Sequence, residues 1–177
     1  MIRLPTPFPA AAQRYALRAA LILAFAYMPS AAHGQSEPDD DGIRVGISFG
    51  GVGTVGLLLE YFDGNRSIDL SVGTWAFRDV SLSLVAKQYF GANAARPFVG
   101  AGLWVVAANP SDGRLGLATV LRVPLGVDWN LTDAHSLGTS VNVSRALWVR
   151  RPDPEDDKPL EGRWVPLPGI YYRYDTR

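Results

Sequence analysis

The stretch VSLSLVAKQYFGANAARPFVGAGLWVV, from Val80 to Val106, decides the fold. Apolar residues alternate with small or polar ones on both sides of a central glycine-containing turn, which is the period-two pattern of a β-hairpin. One face is polar, small or aromatic, and the other is an almost unbroken apolar row. The apolar row consists of Val80, Leu82, Leu84, Ala86, Val99, Ala101, Leu103 and Val105.

The N-terminal residues have the order of a secretory signal. Three arginines precede the apolar run Ala19–Met28, and Pro29 and several small residues follow it. The run is shorter than the roughly 20 residues that a membrane-spanning helix needs. We therefore expect a signal peptide over residues 1–34, cleaved after Ala32 or Gly34, rather than a buried N-terminal helix. A flexible acidic leader over residues 35–41 and one barrel domain over residues 42–177 then follow.

Composition limits the classes of function. Of the 177 residues 47% are hydrophobic and 19% are charged, which favours a folded domain, and the absence of cysteine excludes disulfides and thiolate metal sites. Residues 1–34 hold three of the 17 basic residues and none of the 17 acidic ones, so their removal leaves a net charge of about −3. A slightly acidic chain without a basic cluster argues against nucleic acid as a partner.

Eight segments alternate after the leader, and none has a helical period. Two of them form the hairpin already quoted, and glycine, asparagine and proline turns separate the segments. The other six are Ile43–Phe49, Thr54–Phe62, Ser67–Trp75, Leu115–Trp129, a segment through Leu137–Ser144, and Trp164–Asp175. The pattern predicts an all-β fold, an eight-stranded antiparallel up-and-down transmembrane β-barrel, because an even number of strands closes the sheet.

The polar face indicates the inside of a narrow barrel. Its residues are mostly Ser and Gly, which suit a cramped lumen better than a water-facing surface. Its few charges nearly balance, as a buried set must, although scattered surface charges would give the same list. The predicted interior charge network comprises Arg44, Glu60, Asp69, Lys87, Arg122, Asp128 and Arg173.

Aromatic residues cluster near the strand ends, where a membrane barrel carries its two interfacial belts. The predicted belt residues are Phe49, Tyr61, Trp75, Tyr89, Trp104, Trp129, Trp148, Trp164, Tyr172 and Tyr174. Three prolines oppose a closed barrel, since proline cannot donate to the ladder. We expect Pro166 and Pro168 at a rim and a local bulge at Pro124.

Three segments resemble the small eight-stranded outer-membrane barrels of Gram-negative-type bacteria, the group of the outer membrane protein A transmembrane domain. They are KQYFGANAARPFVGAGLWV (residues 87–105), VPLGVDWNL (123–131) and PGIYYRY (168–174). The resemblance implies the barrel fold and an outer-membrane location. Such barrels commonly end in an aromatic residue that guides assembly, whereas here Asp175-Thr176-Arg177 follow Tyr174.

The sequence contains no complete catalytic or metal-binding motif, and we predict no catalytic residue, cofactor or metal. His135 and Ser136 are neighbours in a strand, so their side chains point to opposite faces. The acidic run Asp153–Asp157 lacks the glycine and closing glutamate of an ordered calcium loop. We expect a monomeric integral outer-membrane barrel, with the bilayer as its partner and a structural, adhesive or minor transport role.

Two alternatives remain at this point. One is a soluble periplasmic or secreted lipocalin-like barrel that binds an apolar ligand, with Leu57, Val72, Leu84 and Leu125 pointing inward. The other is a lipid-modifying outer-membrane enzyme, which requires a convergent nucleophile and base.

Overall fold

The computed structural model describes residues 41–91, 93–108, 115–151 and 162–177, so the predicted signal peptide and nearly all of the leader lie outside the described residues. The described chain forms eight strands: β1 (Asp41–Gly50), β2 (Gly53–Asp63), β3 (Arg66–Thr74), β4 (Asp79–Tyr89), β5 (Ala95–Ala108), β6 (Gly116–Asn130), β7 (His135–Arg150) and β8 (Val165–Asp175). Each strand pairs antiparallel with the next, and β8 pairs with β1 to close the barrel. The predicted eight-stranded antiparallel barrel is confirmed. No helix in these ranges is long and apolar enough to cross a membrane.

The apolar row of the opening hairpin faces outward. Leu82 and Leu84 are about half exposed, whereas Ser81 and Ser83, which alternate with them, are fully buried. Leu57, Val72, Leu84 and Leu125 are 67%, 43%, 54% and 47% exposed. The lipocalin-like alternative, which placed these four side chains inside, is therefore wrong.

The barrel has two rims. The terminal rim holds both ends of the described chain and the turns β2–β3, β4–β5 and β6–β7, and the far rim, formed by the opposite strand ends, holds the turns β1–β2 and β3–β4. The last β7–β8 pair is Ser144–Val165, yet β7 continues to Arg150 alongside β6. The β6–β7 pair therefore projects past the start of β8 at the far rim.

Pro166 and Pro168 lie on β8 where β1 has ended. The last β1–β8 pair is Gly50–Gly169, and the Pro168 carbonyl accepts a hydrogen bond from Gly51 N, so the proline nitrogens of this strand face the β1 side. Because little strand remains there to accept a bond, the missing N–H groups cost little. The two prolines are therefore tolerated at the rim.

Pro124 is buried within the β5–β6–β7 part of the sheet. It pairs with Asn142 of β7, but the β5–β6 register omits the pair that Pro124 would form with Gly100. A Cβ on Gly100 would lie 3.0 Å from the proline ring, so the absence of a side chain there makes room for the ring. The expected bulge is not at Pro124, because the register shift of β6 lies between Thr119 and Val120.

Candidate functional site

The lumen of the terminal half is filled by charged side chains, and Arg173 stands at their centre. This side chain has no exposed surface, and its Nη1 donates to Glu60 Oε2 while its Nη2 lies 2.5 Å from Asp128 Oδ2. Glu60 and Asp128 are also completely buried. Strands β2, β6 and β8 therefore meet through one guanidinium.

Two further cations complete this cluster. Lys87 Nζ lies 2.7 Å from Asp69 Oδ2 and 3.4 Å from Glu60 Oε1, and Arg44 Nη1 lies 3.9 Å from both Glu60 and Asp128. We call the set the ion-pair cluster; its members are Arg44, Glu60, Asp69, Lys87, Asp128 and Arg173. These members carry three positive and three negative charges, and Arg44 also lies 3.6 Å from a further buried carboxylate, that of Asp175.

Neutral donors bind two of the carboxylates of the ion-pair cluster, those of Glu60 and Asp69. Tyr89 Oη and Ser67 Oγ each donate to Glu60 Oε1 over 2.7 Å, and Ser71 Oγ donates to Asp69 over 2.5 Å. Ser71 reaches Asp69 because residues two apart in a strand share one face. The small polar residues of the sequence pattern thus bind the interior acids.

Arg122, the seventh residue of the predicted network, lies apart from the ion-pair cluster. Its Nε donates to Asn142 Oδ1 over 2.8 Å and its Nη1 donates to Ser83 Oγ over 2.9 Å. Among the described residues, no carboxylate lies within ion-pair distance of this guanidinium. A cavity of about 30 Å³, which Arg122, Asn142, Lys87 and Asp69 help to line, has room for one or two waters.

Two clusters of apolar side chains fill the rest of the lumen, one beside the charges and one at the far rim. Leu58, Tyr89, Phe98 and Tyr171 pack together in one cluster. At the far rim, Val52 of the β1–β2 turn packs inward, and its carbonyl accepts a 2.6 Å hydrogen bond from Ser81. We call this second apolar cluster the far plug; its members are Val52, Trp104 and Val120, with Val106 and Leu167 against them.

Two of the ten predicted belt residues lie inside the barrel instead. Tyr89 is 2% exposed and Trp104 is 7% exposed, so their assignment to the interfacial belts is wrong. Tyr89 follows Lys87 by two residues and Trp104 follows Gly102 by two, and strand alternation fixes both on the inward face. The other eight have exposed side chains: Phe49, Tyr61, Trp75, Trp129, Trp148, Trp164, Tyr172 and Tyr174.

Sequence reasoning missed two interior charges at the terminal rim, Arg96 and Asp175. Arg96 Nη2 donates to Asn65 Oδ1 over 3.0 Å and the guanidinium lies 5.0 Å from the Tyr89 ring centroid. Asp175 lies 3.6 Å from Arg44 Nε and 3.1 Å from Arg177 Nη2. Alternation could have found both, because Arg96 shares a face with Gly100 and Asp175 shares one with Arg173.

His135 and Ser136 do not converge. His135 Nδ1 lies 2.5 Å from Tyr172 Oη on the outer surface, whereas the Ser136 side chain is buried in the lumen. The acidic run Asp153–Asp157 lies outside the described residues.

The barrel resembles one solved structure in the comparisons, the N-terminal β-barrel domain of Pseudomonas aeruginosa OprF. The TM-score is 0.56 at 17% sequence identity, and the match covers 77% of this chain and 100% of that chain. At this identity the likeness shows a shared fold and nothing finer. No family model and no curated protein matches the chain.

Proposed function

We propose that the chain is an integral outer-membrane β-barrel protein with a closed interior and a structural role in the membrane. The observation that carries the proposal is the exposed aliphatic surface around a polar, charge-filled lumen. A water-soluble monomer rarely exposes an apolar patch of more than a few hundred Å². A bilayer covers such a surface, and the closed barrel leaves no strand edge unpaired in the lipid.

The positions of the exposed aromatic rings support the proposal. Tyr61, Trp129 and Tyr174 lie towards the terminal rim, and Phe49 and Trp148 lie towards the far rim. Aliphatic side chains occupy the strand positions between these two groups. Aromatic residues at both lipid–water interfaces are typical of membrane barrels.

The filled lumen favours a structural role over transport. The ion-pair cluster occupies the terminal half, the far plug covers the other end, and the interior cavity between them holds about 30 Å³. That volume admits water molecules and no larger solute. The predicted export signal and the resemblance to small outer-membrane barrels support the outer membrane as the location.

Fractionation of cells that express the whole chain tests this proposal. We expect the protein in the outer-membrane fraction, released only by detergent, with a gel mobility that changes on boiling. Recovery in the soluble fraction without detergent would contradict it. Sugar uptake by vesicles that contain the refolded protein tests the closed lumen separately, and uptake above that of empty vesicles would contradict the structural role alone.

A further inference from the structure

Arg145 of β7 lies on the outward, mostly apolar face of the barrel. On β7, Val141 and Val143 face outward, and Arg145 continues this face two residues further on. Arg145 pairs with Leu121 of β6, and its guanidinium carbon lies 5.7 Å from the ring centroid of Trp164. The cation is therefore placed among apolar and aromatic neighbours.

The described residues around the guanidinium leave space for it and supply no opposite charge. A Cβ on Gly162 would lie 2.9 Å from Arg145 Nη2, so the glycine leaves the space that this group occupies beside Trp164. Trp148 and Trp164 are both about half exposed. Within the described ranges, no carboxylate lies within ion-pair distance of Arg145.

The depth of Arg145 matches the headgroup region of the proposed bilayer. Five residues separate it from the end of β7 at Arg150, which is roughly 12 Å along the barrel axis for a tilted strand. Trp148 and Trp164 belong to the exposed aromatic residues at this level, and such residues mark the lipid–water interface. A guanidinium that faces a ring through a cation–π contact can still offer N–H groups for a bidentate contact with phosphate.

We propose that Arg145, within cation–π distance of the Trp164 ring, binds the phosphate of an anionic lipid in the leaflet at the far rim. This inference rests on the proposed membrane location. The occupant is a lipid rather than a free anion, because the apolar residues Val143 and Leu121 flank the cation and are suited to acyl chains.

Native mass spectrometry of the detergent-purified protein with phosphatidylglycerol or phosphatidylcholine tests the site. Wild type should retain phosphatidylglycerol in preference to phosphatidylcholine, and Arg145→Gln should bind phosphatidylglycerol about tenfold more weakly, the equivalent of one charge-assisted hydrogen bond. Arg145→Lys should give an intermediate loss, since it keeps the charge without the planar, bidentate guanidinium. Arg66→Gln is the matched control, because exposed Arg66 has Asp63 opposite it at the terminal rim and should bind as wild type does.

Three outcomes would overturn the inference. They are equal phosphatidylglycerol binding by wild type and Arg145→Gln, an equal loss in Arg66→Gln, and displacement of the lipid by inorganic phosphate at millimolar concentration. Flotation of each variant with vesicles separates these outcomes from failure of the proposed function. A protein that floats but shows no Arg145 effect contradicts only the lipid site, whereas one that does not float contradicts the membrane location.

Discussion

Glu60 is the residue on which the interior charge balance depends. Its carboxylate pairs with Arg173 and Lys87 and accepts hydrogen bonds from Tyr89 and Ser67, although the side chain has no exposed surface. Removing one member of a buried set leaves its partners charged and unpaired, which costs much more than the loss of one contact. A substitution that keeps the shape of the Glu60 side chain but removes its charge should therefore still destabilise the barrel strongly.

We expect Glu60→Gln to lower the free energy of unfolding by about 3–5 kcal/mol, because Arg173 and Lys87 lose a shared counter-charge while the side-chain volume hardly changes. Urea unfolding of the protein refolded into vesicles measures this. Asp133→Asn makes the same charge change at an exposed turn and should stay within about 0.5 kcal/mol of wild type. Equal effects of the two substitutions would contradict the buried cluster.

Arg122 and Arg173 both lie in the lumen, Arg122 partly buried and Arg173 fully buried, but they should respond differently to replacement by methionine. Arg173→Met leaves Glu60 and Asp128 without their main partner, and we expect a loss of about 3–5 kcal/mol. Arg122→Met removes a cation bound only to Asn142 and Ser83 among the described residues, so stability should change by less than about 1 kcal/mol. Urea unfolding in vesicles measures both losses. A loss for Arg122→Met as large as that for Arg173→Met would contradict the separation of Arg122 from the ion-pair cluster.

Alternation makes the inward side chains predictable from the sequence, including those of two aromatic residues. In the sequence, Tyr89 and Trp104 come near the ends of alternating segments, and that position suggests a membrane belt, although β5 continues past Trp104 to Ala108. Their place two residues from Lys87 and Gly102 fixes them inside, because successive residues in a strand alternate between faces. Which acid pairs with which base was not predictable, since Glu60 and Arg173 are 113 residues apart and meet only when the barrel closes.

At the scale of the strands, close pairing depends on glycine where two backbones approach. A Cβ on Gly102 of β5 would overlap the Leu84 carbonyl oxygen of β4 and lie 2.7 Å from Val85 Cα. The backbone of β4 cannot move aside as the end of a flexible side chain can. Gly102 is therefore needed for the β4–β5 contact.

We expect Gly102→Ala to destabilise the barrel by about 2 kcal/mol, since the added methyl forces two paired strands apart. The control is Gly64→Asn in the β2–β3 turn, where φ is +55° and a Cβ would meet nothing within 4 Å. Asparagine tolerates this conformation, so the control should stay within about 0.5 kcal/mol of wild type. Urea midpoints of both variants test the difference. An unchanged midpoint for Gly102→Ala would show that the β4 backbone moves aside for the added methyl at no cost in stability.

Strand number and order were predictable because each segment alternates and turn residues separate the segments. Local irregularities were not. Pro124 is accommodated by a gap in the β5–β6 register opposite Gly100, and the register shift of β6 lies at Thr119 and Val120. Both features depend on how β5 and β7 pair with β6, which the sequence of β6 alone does not determine.

At the scale of the whole molecule, the arrangement of apolar and polar faces is the reverse of that in a water-soluble barrel. Leu84 lies midway along β4, pairs with Leu70 and Leu103, and is 54% exposed, while Val80 lies near the far rim on the same face and is 61% exposed. In water, a cation at either exposed position would change stability little. In a bilayer, its cost depends on depth.

We therefore expect Leu84→Arg to lower the unfolding free energy in vesicles by about 2–4 kcal/mol, and Val80→Arg to lower it by no more than about 1 kcal/mol, because only the first places a charge near the bilayer midplane. Parallel urea titrations of the two variants and wild type measure both values. The pair is matched in strand, face and exposure, so only depth differs between them. Equal small effects would show that the outer surface faces water and would contradict the membrane location, whereas equal large effects would place Val80 at the same depth in the lipid as Leu84.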